Sequence, residues 1–205
     1  TLLKASSVCV LFIGIGGAMQ HMLKITDGAL ETSGSMMLII CFVLGSIVGE
    51  LLDIEGAFER FGAWLRKKTH NESDTGFLSA FIHASLTVCI GAMAIVGSIQ
   101  DGLLGDYSLL CAKAALDAVI ILVMTASMGK GCIFSAIPVA LLQGGVTLLS
   151  RVLAPVFTEA AIANLSYTGS VMIFCVGLNL VWGKKIKVAN LLPTLVFAVL
   201  YALVF

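Results

Sequence analysis

Seven apolar runs of about bilayer-crossing length constrain this 205-residue chain more than any other feature. A helix needs about 17–25 residues to cross roughly 30 Å of hydrocarbon. Backbone groups in hydrocarbon need partners within the chain, and no segment has the strict alternation of a barrel strand. The sequence therefore predicts an all-α polytopic membrane protein. The predicted spans are 5–23, 35–52, 76–99, 108–128, 131–150, 167–182 and 188–205.

The composition supports the same class. Hydrophobic residues make up 59% of the chain, charged residues make up 12%, and the mean hydropathy is +1.06. A soluble domain is about half apolar and a quarter charged. The 12 basic residues balance the 12 acidic ones, which argues against a nucleic-acid partner. We expect residues 1–205 to form a single transmembrane domain.

The connectors between the runs differ in charge, and this difference predicts an orientation. Basic connectors are 60–68, 128–131 and 183–187, and the acidic or neutral ones are 26–34 and 100–107. With Lys4, the basic side holds nine Lys and Arg residues, whereas the opposite side holds Lys24 and Arg151. The positive-inside rule then places the first residue in the cytoplasm and the last one outside.

Residues 54–68 carry an amphipathic helical pattern inside one connector. One face holds Ile54, Phe58, Phe61, Trp64 and Leu65, and the other holds Glu55, Glu59, Arg60, Arg66 and Lys67. A basic helix with an aromatic apolar face is typical of the membrane interface, where it binds the lipid bilayer. The same pattern also fits a helix that packs on its own bundle.

Two charged residues of the fourth run, Lys113 and Asp117, lie four positions apart and share one helical face. At about 1.5 Å per residue they lie about 8 Å and about 13 Å from Ser108, which puts Asp117 close to the membrane midplane. Charges are costly in hydrocarbon, so such a pair indicates an ion, proton or substrate site. The alternative is a self-neutralising pair that locks two helices together.

In the fifth run, Gln143 falls at a similar depth, about 18 Å from the cytoplasmic end. Gly144 and Gly145 follow it, and Pro138 precedes it. Because proline donates no backbone hydrogen bond, this run is the predicted kinked or interrupted helix. A glutamine beside such a break can offer its amide to a polar solute, or it can simply bond a neighbouring helix.

Further candidate binding residues lie nearer the membrane faces. Ser98, Gln100 and Asp101 end the third run at the predicted external face. Glu50 and Asn179 lie toward the cytoplasmic face, where a solvated carboxylate is the simpler interpretation of Glu50. Small residues let helices approach closely, so the Gly45-x-x-x-Gly49 pattern predicts a possible homodimer contact.

The sequence lacks the common enzyme motifs H-E-x-x-H, G-x-S-x-G and the P-loop. The cysteines, methionines and histidines show no metal-ligand spacing. We therefore expect neither an enzyme nor a bound cofactor. Short matches between the halves of the chain fit a parallel or an inverted repeat equally well.

Several segments together resemble a bacterial inner-membrane family, the domain of unknown function 554. They are LGSIVGELLDIE at 44–55, CIGAMAIVGSIQDG at 89–102, AKAALD at 112–117, FSAIP at 134–138, LQG at 142–144 and IKVANLLP at 186–193. The resemblance implies one further N-terminal helix, eight in all, and some transport activity. The matching motif positions are Glu50, Asp53, Ser98, Gln100, Asp101, Lys113, Asp117, Gln143 and Asn190.

Two functional hypotheses follow. The first is a transporter or channel for a small polar or ionic solute, with Asp117 binding a cation, a proton or the cationic end of a substrate. Lys113 would be its counter-charge or would contact an anionic group. The second is a non-transporting scaffold or accessory subunit that binds partner proteins or lipid, in which Lys113 and Asp117 are structural.

Overall fold

Helices account for nearly all of the described chain, in agreement with the all-α prediction. The computed structural model describes residues 2–26, 29–69, 76–89 and 92–204. Its α-helices are α1 Leu2–Met22, α2 Ser35–Leu52, α3 Ile54–Lys68, α4 Phe77–Cys89, α5 Ala92–Leu104, α6 Ser108–Met128, α7 Ala136–Leu148, α8 Ser150–Leu153, α9 Glu159–Trp182 and α10 Pro193–Val204. Two 3₁₀ helices, Lys130–Ser135 and Val188–Leu191, precede α7 and α10.

One feature that the sequence did not predict is a hairpin in the first connector. The strands β1 Leu23–Thr26 and β2 Ala29–Thr32 pair antiparallel, with Leu23 opposite Thr32. The pairing continues directly from the end of α1 and satisfies backbone groups beyond the helix.

The predicted seven spans are not confirmed. Within the described residues, four helices are long and apolar enough to cross a membrane, or five if α4 and α5 are one bent span. The four are Ser35–Leu52, Ser108–Met128, Lys130–Leu148 and Glu159–Trp182. The first and last predicted spans contain shorter apolar stretches, Ser7–Met22 and Val188–Val204.

The third apolar run contains a sharp bend, whereas the break predicted beside Gly144 and Gly145 in the fifth run is absent. α4 and α5 are bent by 60° relative to each other, and residues 90 and 91 between them lie outside the described part. In contrast, α7 continues through Gly144 and Gly145 to Leu148. Pro138 is the third residue of α7, which directly follows the 3₁₀ helix Lys130–Ser135.

Two helix pairs approach closely at glycines. α1 packs antiparallel to α9, and a Cβ on Gly14 would lie 2.4 Å from the backbone nitrogen of Phe174. α2 packs against α10 and the 3₁₀ helix before it, where a Cβ on Gly49 would lie 1.7 Å from the Asn190 carbonyl oxygen. Gly45 meets Thr194 in the same way. The Gly45–Gly49 stripe therefore serves packing within the chain, and this packing occupies the face proposed for a homodimer.

The amphipathic helix α3 has its predicted bounds, and most of its apolar face packs on the bundle. Phe58, Phe61 and Leu65 contact the core that the buried helix α4 forms around Phe81. Trp64 is the exception, since it is 52% exposed and the Lys68 Nζ lies 4.8 Å from its ring centroid. The location of α3 at the membrane interface stays a prediction.

The three basic connectors lie at one end of the bundle. Lys187 Nζ is 3.1 Å from Glu50 Oε2 at the end of α2, and Lys184 Nζ is 3.0 Å from Glu55 Oε1 at the start of α3. Gly131 packs against the Phe77 carbonyl at the start of α4, which adjoins α3. Contacts between residues that are distant in sequence thus bring together the segments whose positive charge set the predicted orientation.

Candidate functional site

The charged residues of α6 form one buried ion pair. Lys113 is 6% exposed, and its Nζ contacts Asp117 Oδ2 one helical turn further along. The same Nζ donates a hydrogen bond to the Val88 carbonyl at 2.9 Å. The side chain of Asp117 is 21% exposed, so the carboxylate is the more accessible half of the pair.

The position of Val88 explains why its carbonyl is free to accept this bond. α4 ends at Cys89, and the last four carbonyls of a helix have no intrahelical partner. The C-terminal end of a helix also carries partial negative charge, which favours a nearby cation. Lys113 therefore caps the end of the broken helix while it neutralises Asp117.

Beside this pair, a cleft of about 260 Å³ opens between α6 and α7. Its lining residues are Val88, Ala114, Asp117, Ala118, Ile121, Ile133, Ser135, Ala136, Val139 and Gln143. Asp117 and Gln143, predicted from sequence to lie at a similar depth, share this cleft. Lys113 does not line it, because the ammonium lies behind the carboxylate against α4.

The 3₁₀ helix Lys130–Ser135 sets the position of the second cleft wall. At Gly131 an added Cβ would lie 2.2 Å from the Phe77 carbonyl oxygen, so only glycine fits there. Cys132 Sγ donates to the Ala80 carbonyl at 3.6 Å. These contacts hold the 3₁₀ helix against α4. Ser135, the last residue of this helix, and one face of α7 therefore line the cleft.

The model of the family described as "Protein of unknown function (DUF554)" matches residues 1–203. The chain belongs to the DUF554 family.

Two relatives of this DUF554 protein are bacterial proteins whose names describe them as uncharacterized. "Uncharacterized membrane protein YdfK" of Bacillus subtilis (strain 168) is 25% identical over 194 residues, which cover 95% of this chain and 79% of that protein. "Uncharacterized protein YqgA" of Escherichia coli (strain K12) is 26% identical over 168 residues, or 78% of this chain and 70% of that protein. No solved structure matches this DUF554 protein.

Besides Lys113 and Asn179, four predicted binding residues of this DUF554 protein do not line the cleft: Ser98, Gln100, Asp101 and Glu50. Ser98 is fully buried on α5, and its hydroxyl has no hydrogen-bond partner in the described part of the chain. Gln100 and Asp101 are half-buried near the end of α5. Glu50 is an exposed residue at the other end of the bundle, where Lys187 pairs with it.

Asn179 is also outside the cleft, and the backbone of the loop after α9 uses its side-chain groups. Its Oδ1 accepts from the backbone nitrogens of Lys185 and Ile186 at 2.9 and 3.0 Å. Its Nδ2 donates to the Ile186 carbonyl at 2.6 Å. These contacts give Asn179 a structural task in this DUF554 protein.

A second buried polar group, centred on Glu55, was misjudged from the sequence, which placed this residue on the exposed face of α3. Glu55 is 5% exposed, and its Oε2 accepts from the Ala189 backbone nitrogen at 3.0 Å. Its own backbone nitrogen donates to Asn190 Oδ1 at 2.7 Å. The helical pattern contained no signal for this burial, because the covering segment is distant in sequence.

Lys184 completes this second group at its exposed rim. Partial burial lowers the pKa of Lys184, but hydrogen bonds and attraction from Glu59 and Glu55 outweigh that effect and raise it above the ordinary lysine value. The cluster joins the start of α3 to the loop before α10 in this DUF554 protein. Its groups are directed at one another, and the cluster is separate from the cleft.

Proposed function

We propose that this DUF554 protein is a transporter or channel for a small polar or ionic solute, and not an enzyme. The observation that carries the proposal is the Asp117 carboxylate in an open cleft beside the end of a broken helix. A charged group in a membrane-embedded helix is costly and usually marks a pathway for ions or substrates. Discontinuous helices are a recurrent feature of transporter binding sites.

In this proposal, Asp117 binds the positively charged part of the solute and Gln143 adds an uncharged ligand. Lys113 is the counter-charge of Asp117 in the absence of solute. The alternative in which Lys113 contacts an anionic group is less favoured, since its ammonium faces Val88 and Asp117.

The proposed location is the bacterial inner membrane, with the first residue cytoplasmic and the last external. The clustering of the basic connectors at one end of the bundle supports this orientation, because the cytoplasmic side of a membrane protein carries the excess of Lys and Arg. The bacterial membrane protein among the relatives also supports the location.

The test is a ligand screen on purified protein, with Asp117→Asn as the matched control. The panel contains inorganic ions, amino acids, amines and organic acids, and a bound ligand raises the melting temperature by mass action. A hit that shifts the wild type and leaves Asp117→Asn unshifted is then tested for flux in proteoliposomes. Flux that is the same in both proteins would refute the assignment of Asp117.

The scaffold hypothesis has one specific observation in its favour. Lys113 caps α4, so the ion pair has a structural explanation that requires no solute. The substitution Asp117→Asn distinguishes the two functions, because it leaves Lys113 on the Val88 carbonyl. A scaffold with this substitution retains its folding and its interactions, whereas a transporter loses flux because the negative charge has left the cleft wall.

A further inference from the structure

The chemical character of the cleft wall restricts the ligand more narrowly than "polar or ionic", if the proposed function holds. Its polar lining residues are Asp117, Gln143 and Ser135, of which Ser135 is almost fully buried. Side chains of all three types can accept hydrogen bonds, and among them aspartate carries negative charge. The remaining lining residues are aliphatic, so a matching ligand has a cationic donor group and a small apolar body.

Two other ligand classes fit this wall poorly. An anion would face the Asp117 carboxylate, while the nearest cation, Lys113, is turned toward α4. A hard metal cation prefers about six to eight oxygen ligands, and the cleft offers a single carboxylate. In the described residues, no group of three His, Cys, Asp or Glu side chains could hold a metal ion.

Lys113 itself indicates which cation suits Asp117. Its side chain is a primary ammonium on a four-carbon aliphatic stem. This ammonium forms an ion pair with the Asp117 carboxylate on the side that faces away from the cleft. A ligand with the same group must compete with it. When a ligand ammonium shares the Asp117 carboxylate or displaces Lys113 from it, Lys113 keeps its hydrogen bond to the Val88 carbonyl. The partial negative charge at the C-terminal end of α4 continues to stabilise the lysine.

We propose that the cleft binds a primary ammonium with a short aliphatic chain, which competes with Lys113 for the Asp117 carboxylate. Only the transport of this ligand rests on the proposed function, because its binding can be measured separately. Lys113 is then an internal competitor that weakens binding, and the aliphatic lining contributes to affinity through burial of the ligand chain.

The experiment measures binding of n-butylammonium to the full chain in lipid nanodiscs by isothermal calorimetry. Methylammonium, butyrate and sodium are the comparison probes. We expect n-butylammonium to bind more tightly than methylammonium, and butyrate and sodium to show no binding that depends on Asp117. Butyrate binding that Asp117→Asn abolishes, or equal affinity for butylammonium and sodium, would overturn the proposal.

Variants of the pair test the competition. A charge at about 4–6 Å changes the proton affinity of a carboxylate by about one to three powers of ten, so Lys113→Met is expected to bind n-butylammonium about tenfold or more tightly. Unchanged or weaker binding by a folded Lys113→Met contradicts the competition. The matched control is Glu50→Gln, a carboxylate outside the cleft, which should bind as the wild type does.

If Lys113→Met does not fold, Asp117→Asn keeps Lys113 on the Val88 carbonyl and removes only the negative charge from the cleft wall. Loss of n-butylammonium binding in folded Asp117→Asn supports the proposal, and retained binding refutes it. Flux assays separate this inference from the proposed function. Binding without flux supports the ligand class and counts against transport, whereas Asp117-dependent flux of another solute without amine binding refutes the ligand class alone.

Discussion

Substituting Gly49 by alanine is expected to destabilise the protein, because α2 has no room for a side chain at that position. The added Cβ would lie 1.7 Å from the carbonyl oxygen and 2.6 Å from the carbonyl carbon of Asn190. These are backbone atoms of the 3₁₀ helix Val188–Leu191, so a rotamer change cannot relieve the clash. α2 and that segment must instead move apart.

The size of the effect follows from three contributions. Overpacking that moves the backbone costs about 1–3 kcal/mol. The shift also strains the 2.7 Å hydrogen bond between the Glu55 backbone and Asn190, which contributes about 1 kcal/mol. Replacing a helical glycine by alanine returns up to about 1 kcal/mol. The net loss in unfolding free energy is about 2 kcal/mol, or about 4–8 °C in melting temperature for a chain of this size.

The assay is thermal unfolding of purified protein, followed with a dye that reacts with cysteines as they become exposed. Cys41 and Cys132 are buried in the folded state and report the transition. Gly145→Ala is the matched control, because an added Cβ there meets nothing within 4 Å. That control should be unchanged or slightly more stable. Equal melting temperatures for Gly49→Ala and Gly145→Ala would refute the packing argument.

Three further predictions concern local contacts. Asn179→Ala removes the partners of three backbone groups in the following loop, and chemical denaturation should register a loss of about 2 kcal/mol in unfolding free energy. Thr158→Ala removes the side-chain cap that accepts from the Ala161 nitrogen, and chemical denaturation should register a loss of about 1 kcal/mol. Because the pKa of Lys184 is raised, the stability from its ion pairs is complete below the ordinary lysine pKa and is lost as the pH rises through the raised value. Melting temperatures across alkaline pH should therefore fall less in Lys184→Met than in wild type, and equal slopes would contradict this assignment.

The sequence by itself determined the features that depend on local pattern. The bounds predicted for α2, α3 and α6 match the structure, because uniform apolar content and a 3.6-residue period are properties of adjacent residues. The pairing of Lys113 with Asp117 was predictable for the same reason, since four positions is one turn of helix. Depth counting from the helix ends predicted Asp117 and Gln143 at a similar level, and both residues line one cleft.

Only the tertiary structure decided which helix breaks and which polar groups are buried. Pro138 and the Gly144–Gly145 pair suggested a break in the fifth run, but α7 runs from Ala136 to Leu148 without one. The bend instead lies in the third run, where Lys113, from another helix, caps the end of α4. Glu55 is buried by a segment more than 130 residues away. Such features depend on partners that are distant along the chain, so the residue pattern of a single helix cannot predict them.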